Sequence, residues 1–363
     1  MKRVKLFLLL IFLVVIYSNH IIAAEEMITK VQVKSSNFNP SSGEECQLVY
    51  NLAKEAKVYV NVYTADFHLV NQIASGVFQE EGEHKVSWDG RDINNQVVAD
   101  EAYFFYIKAK FDDGSEAIYD PTTFSGGEEF EVTDVDYNSE EGSFTFNLKR
   151  PARVLMRVGI DNGPMINTLL DWKPRPAGHN ILYWSGFDKD GVLDAREFSG
   201  LKLVTIGFYL PESSVITYGN NKSNYFKYIN SLKTKKKVLR EEKLRKVKIS
   251  PYYYLQLRDY RTPQFSVELP QYNEANYNIK KDSKLLIRIL AKNEFKRLLM
   301  KNRFEVILFL DAKFIYEEEE GYIPFNIPWS TKGLDPGEHY LTVVLATYNG
   351  QVGSRSLKIN IKE

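Results

Sequence analysis

The sequence predicts an all-β protein built as a tandem of β-sandwiches. Three observations carry that expectation. A long stretch of the chain repeats at a fixed offset of 96 positions. Within it, apolar residues alternate with polar ones at a period of two, the pattern of a half-buried strand. Turn-forming residues separate these runs about every ten positions, the spacing of short strands in a sandwich. No long amphipathic helix pattern interrupts them, which disfavours an α/β enzyme fold.

Taken in order, the chain opens with Lys2, Arg3 and Lys5, an apolar run from Leu6 to Tyr17, a polar break at Ser18-Asn19-His20, and small residues at Ala23 and Ala24. A basic start, a short apolar centre and a small-residue exit read as a secretory signal peptide over residues 1–24. The run is shorter than the roughly 20 apolar residues that span a bilayer. No cysteine stands near the junction, so a lipoprotein anchor is not expected, nor is a stable membrane span after cleavage. Cys46 is the sole cysteine. An exported chain with one cysteine has no internal disulfide, and its domains must stand on their apolar cores. The formal net charge is zero, yet Lys222–Arg261 holds thirteen bases and three acids. One basic belt sits in an otherwise acidic protein.

Domains are expected at 25–125 and 126–220, related by the offset. Asn51–Val97 falls on Asn147–Leu193 without a gap, pairing Val58 with Val154, Val62 with Val158, Gly82 with Gly178, Trp88 with Trp184, Gly90 with Gly186 and Asp92 with Asp188. Cys46, Leu48, Tyr50 and Leu52 alternate as one strand, and Phe144, Phe146 and Leu148 hold the matching parity. Val58–Val62 and Val86–Trp88 follow, each with its counterpart, and Tyr103, Phe105 and Ile107 add a further strand. Asn39-Pro40-Ser41-Ser42-Gly43, Glu81-Gly82 and Asp112-Asp113-Gly114 mark turns. Residues 221–262 read as a basic, aromatic linker.

Residues 263–363 read as a third, divergent sandwich. Phe265–Leu269, Leu285–Leu290, Phe304–Leu310 and Tyr340–Ala346 are its strand candidates, with a short helix over Lys292–Asn302. One local phrase links all three units: Glu81-Gly82-Glu83-His84, Ala177-Gly178-His179 and Pro336-Gly337-Glu338-His339, each running into an aliphatic strand.

Phe38-Asn39-Pro40-Ser41, the valine strand Val58–Val62 and Gly82-x-His84-x-Val86-x-Trp88-Asp89-Gly90-Arg91-Asp92 resemble the immunoglobulin-like domain of the flagellar hook-capping protein (FlgD type), a module also found in secreted bacterial proteins. The likeness covers about residues 31–110. It weakens in the second unit, where Ser185 stands for Asp89 and Phe187 for Arg91. The resemblance implies tandem immunoglobulin-like β-sandwiches and supplies no catalytic residue. A shared fold does not carry a shared function, and the signal peptide argues against a flagellar role, because the hook-capping protein is exported without one.

Each candidate site competes with a plainer role. His84, His179 and His339 occupy equivalent turns of different units, so they cannot converge on one metal, and each is expected to hydrogen-bond its own loop. Asp188-Lys189-Asp190-Gly191 lacks the spacing of a calcium loop, with Gly191 at the fourth position and no closing Glu, and reads as a hairpin turn, with adventitious Ca²⁺ binding as the alternative. Cys46 has no base on its face and is expected as a small core residue. Glu317–Glu320 reads as a solvated sheet edge. No Gly-x-Ser-x-Gly, phosphate loop or haem attachment motif is present. Catalytic, cofactor and metal residues are therefore none.

The belt is the feature that fold maintenance explains least. It begins at Tyr225-Phe226-x-Tyr228, passes Lys235, Lys236 and Lys237, and ends near Tyr252, Tyr253 and Tyr254. Those last six residues are the candidate partner-binding set. The lysines offer long-range attraction and the tyrosines desolvated anchors. Nucleic acid is not expected as a partner for an exported protein; another extracytoplasmic protein or an anionic surface polymer is. The sequence thus predicts a secreted, non-enzymatic scaffold or binding protein of the cell envelope. The alternative is a carbohydrate-binding accessory protein, with Trp172 or Tyr252–Tyr254 stacking on sugar rings. A glycosidase-like carboxylate pair is a third reading.

Overall fold

The structure, a computed structural model, describes residues 27–232 apart from 66 and 223, and residues 262–363 apart from 273–276. The signal-peptide expectation lies outside the described residues. The described residues form β-sandwiches, as their alternation predicts.

The first unit contains β1 (Ile28–Lys34), β2 (Asn37–Phe38), β3 (Cys46–Leu52), β4 (Ala56–Thr64), β5 (Leu69–Gln79), β6 (Gly82–Trp88), β7 (Ala102–Lys110) and β8 (Glu116–Tyr119). One sheet runs β1-β3-β6; the other places β4 between β7 and β5, with β8 on β7. Antiparallel register sets Cys46 opposite Trp88 and Leu48 opposite Val86. The period of two then sends Cys46, Leu48, Tyr50 and Leu52 inward, against Val58, Val60 and Val62 of the facing sheet, all excluded from water. Each such valine or leucine contributes about 1.5–3 kcal/mol on burial.

The second unit contains β9 (Glu129–Glu131), β10 (Asp136–Asn138), β11 (Ser143–Leu148), β12 (Ala152–Ile160), β13 (Met165–Arg175), β14 (Gly178–Tyr183) and β15 (Leu201–Tyr209). Its sheets run β10-β11-β14 and β13-β12-β15-β9. Strands β12 and β13 begin and end 96 residues after β4 and β5, so the sequence offset is a structural one. Trp88 and Trp184 close equivalent cores. Each donates its indole N–H to a carbonyl three residues on, Trp88 to Arg91 at 2.9 Å and Trp184 to Phe187 at 2.8 Å. Gly90 and Gly186 follow in the left-handed region at φ 69° and 88°. A Cβ on Gly90 would stand 2.4 Å from the Pro40 ring, so glycine is required there.

The next strand departs from expectation. Val215–Thr217 (β16), anticipated in the second unit, pairs antiparallel with β7 and parallel with β2 in the first. The helix Tyr225–Ser231 follows it and buries Tyr225, Tyr228 and Leu232 in the first unit's core. Two aromatics read as the start of the basic belt are thus core residues.

The third unit contains β17 (Ser266–Glu268), β18 (Tyr277–Lys280), β19 (Lys284–Leu290), a helix at Asn293–Asn302, β20 (Phe304–Leu310), β21 (Lys313–Glu318), β22 (Phe325–Ser330), β23 (Gly337–Thr347) and β24 (Val352–Lys362). Its sheets run β17-β19-β22 and β18-β24-β23-β20-β21. The arrangement repeats the first unit: β20 sits between β23 and β21 as β4 sits between β7 and β5. The helix matches the expected Lys292–Asn302 and tucks Leu299 beneath the sheets.

Candidate functional site

Most sequence-level candidates resolve into structural roles. The His84 ring bonds the Glu80 carbonyl at 2.7 Å, and His339 bonds the Asp335 carbonyl at 2.9 Å and Asp311 at 2.6 Å. His179 is exposed. Among the described residues, no group of three or more His, Cys, Asp or Glu could hold a metal ion. Asp188 accepts from the backbone N–H of Val192 and Leu193 and closes its turn, as Asp92 does with Asn94 and Gln96. Cys46 is fully buried, and that burial pushes its thiol up to about 12. It is a core residue and not a nucleophile at neutral pH.

Trp172 corrects an expectation. It lies in strand β13, 5% exposed, with its ring 5.5 Å from Phe208. No sugar can stack on it. The acidic run begins in the last two residues of β21, which among the described residues is an edge strand paired with β20, and Glu317, Glu319 and Glu320 are exposed there. Phe314 on this strand, with Tyr322 and Tyr348, stands more than half exposed.

Lys235, Lys236, Lys237, Tyr252, Tyr253 and Tyr254 all lie outside the described residues. What the described residues bring together is a pair of junctions. Between the first and second units, Arg153 and Glu101 form an ion pair at 2.8 Å, with side chains 2% and 6% exposed. Arg153 also donates to the Trp172 carbonyl at 3.1 Å, and Glu101 accepts from the Ala102 N–H at 2.8 Å. Asn220 ties the returning chain to Asp100 and to the carbonyls of Val97 and Val98. Between the second and third units, Asp190 pairs with Arg355 and accepts from the Ser356 N–H at 3.0 Å. Asp171 accepts from the Thr262 N–H and hydroxyl, and Ser354 donates to the Ile166 carbonyl at 2.9 Å. The calcium-like turn is therefore a docking turn.

Beside the first junction lies a cleft of ≈ 370 Å³, walled by the end of β13 and by β14 on one side and by Asn37, Asp100 and β16 with Tyr218 on the other. Lys173 and Arg175 line it, two residues apart on an edge strand. Sequence reasoning passed over both. The signal was present in Lys173-Pro174-Arg175-Pro176, because a proline inside a strand and another just past its end mark an edge that has given up ladder donors.

No protein-family model matches the chain, and no curated protein matches it. Solved structures do. The fibronectin(III)-like modules of Clostridium thermocellum CbhA align at 11% identity over 93% of this chain and 94% of theirs, with a TM-score of 0.21. FlgD from P. aeruginosa aligns at 22% identity over 33% of this chain and 82% of its own, with a TM-score of 0.20. A Ca²⁺-stabilized adhesin that helps an Antarctic bacterium bind ice aligns at 11% identity over 92% of this chain and 74% of its own, with a TM-score of 0.20. TM-scores this low carry no functional argument. The all-β architecture rests on the sheets and cores of the chain itself.

Proposed function

We propose that this protein is a secreted, non-enzymatic scaffold or binding protein of the cell envelope, acting through protein–protein contacts. Its motif resembles the hook-capping type of immunoglobulin-like module over the first unit, which supports this reading. The observation that carries the reading is the buried Arg153–Glu101 pair between units. An ion pair withdrawn from water fixes one relative geometry, since any other leaves a charge unpaired. A body held at fixed spacing suits presentation of surfaces to partners. The basic belt supplies the contact, with Lys235, Lys236 and Lys237 attracting an acidic extracytoplasmic protein and Tyr252, Tyr253 and Tyr254 anchoring it.

Co-purification from the native envelope, followed by binding measurements across ionic strengths, tests this. Charge reversal at the three lysines should slow association, and Tyr253→Ala should speed dissociation. Unchanged rates for both variants overturn the belt as an interface.

A further inference from the structure

The cleft between the first two units carries a chemistry that the scaffold reading does not use. Arg175 is half-buried in it, and that burial lowers its pKa from the ordinary guanidinium value. It donates a long hydrogen bond, 3.4 Å, to the carbonyl of Pro174. Among the described residues it has no ion-pair partner. Asp100, the one acid lining the cleft, is already engaged by the Asn220 N–H at 2.8 Å. A guanidinium drawn out of water without a carboxylate is costly unless an anion joins it. Lys173 lines the same cleft and is exposed, so a second cation is within the site's reach.

The walls narrow the class of anion. Pro176 and the exposed Ile181 and Tyr218 offer apolar ring and aliphatic faces, and Asn37 offers an exposed amide. A volume of ≈ 370 Å³ is small-molecule size. An acidic peptide added as a strand would need ladder donors from this edge, and the prolines at 174 and 176 have no N–H to give. A pyranose needs none: its ring face packs on apolar walls, its hydroxyls bond amides, and its carboxylate pairs with the guanidinium fork. We infer that the cleft between β13 and β16 binds a carboxylate-bearing sugar, a uronate unit of an acidic polysaccharide, through Arg175 and Lys173.

The site lies apart from the basic belt, so its test is separate from that of the scaffold reading. Calorimetric titration of the full chain would use a linear oligogalacturonate, its methyl ester, and an oligoglutamate peptide. The oligogalacturonate should bind, and at least tenfold more tightly than the uncharged ester. Arg175→Gln should lose at least tenfold in affinity, and Lys173→Gln less. Arg175→Lys, which keeps the charge without the fork, should fall between. Charge reversal at Lys235, Lys236 and Lys237 should leave this binding unchanged. Equal thermal melting of the variants and the parent protein excludes misfolding as the cause. The inference is overturned by no binding of the oligogalacturonate, by equal binding of acid and ester, by an unaffected Arg175→Gln variant, or by tighter binding of the peptide.

Discussion

Arg153 lies in the second sandwich and Glu101 in the first, and the two meet at 2.8 Å with almost no access to water. Replacing Glu101 with Gln should leave a buried guanidinium unpaired and cost about 3–5 kcal/mol. The double variant Glu101→Leu with Arg153→Met should recover most of that, because no charge remains to be buried. Urea denaturation followed by tryptophan fluorescence measures both. Equal stability of the single variant and the parent protein would show that the pair does not hold the junction.

Cys46 gives a second test. Its thiol is buried and its pKa is raised to about 12 by that burial. Iodoacetamide at pH 8 should leave native protein unmodified and alkylate it fully in denaturant. Rapid native alkylation, read by mass spectrometry, would contradict the packing described.

The junction of the second and third sandwiches should loosen without unfolding either one. Asp190→Ala removes both the Arg355 pair and an acceptor for the Ser356 N–H. Hydrogen bonds to charged groups contribute about 1.5–3 kcal/mol each, so limited proteolysis near residue 262 should accelerate severalfold. Far-ultraviolet circular dichroism should stay the same. A cleavage rate equal to that of the parent protein would place the joint elsewhere.

His339 makes the third sandwich sensitive to pH. Partial burial of the ring works against its cation, but bonds to Asp311 and the Asp335 carbonyl outweigh it and raise the pKa from the usual value. A raised folded-state pKa means stabilisation fully present below the unfolded value, near 6.5. It is lost as pH rises through the folded value. Thermal melts from pH 5.5 to 8.5 should therefore show a decline with rising pH that Asp311→Asn abolishes. A decline of the same size in Asp311→Asn would assign it to another group.

The sandwiches were legible because strand alternation and turn glycines are local signals. The offset of 96 survived in Val58 and Val154, Trp88 and Trp184, and the glycines that follow them, since each pair does the same packing work. Strand β16 was not legible. Its partners in β7 lie more than a hundred residues away, and three residues of Val-Ile-Thr carry no signal naming them. Tyr225 and Tyr228 misled for a related reason: next to lysines they resemble a binding surface, and only the returning strand brings them to a core. Arg175 was hidden because its meaning depends on what faces it from the other unit.

The return of β16 to the first sandwich has a temporal consequence. Glu101 and Thr217 bond across 116 positions of chain. A chain made from its N-terminus therefore reaches the end of the second sandwich before the first can add that strand, and the loop between them closes late. The first sandwich waits with the Ala102–Tyr103 end of β7 unpaired beyond β8, a short open edge prone to pairing with another nascent chain. Fast formation of the inserted sandwich shortens that wait by bringing residues 215–217 back as a unit.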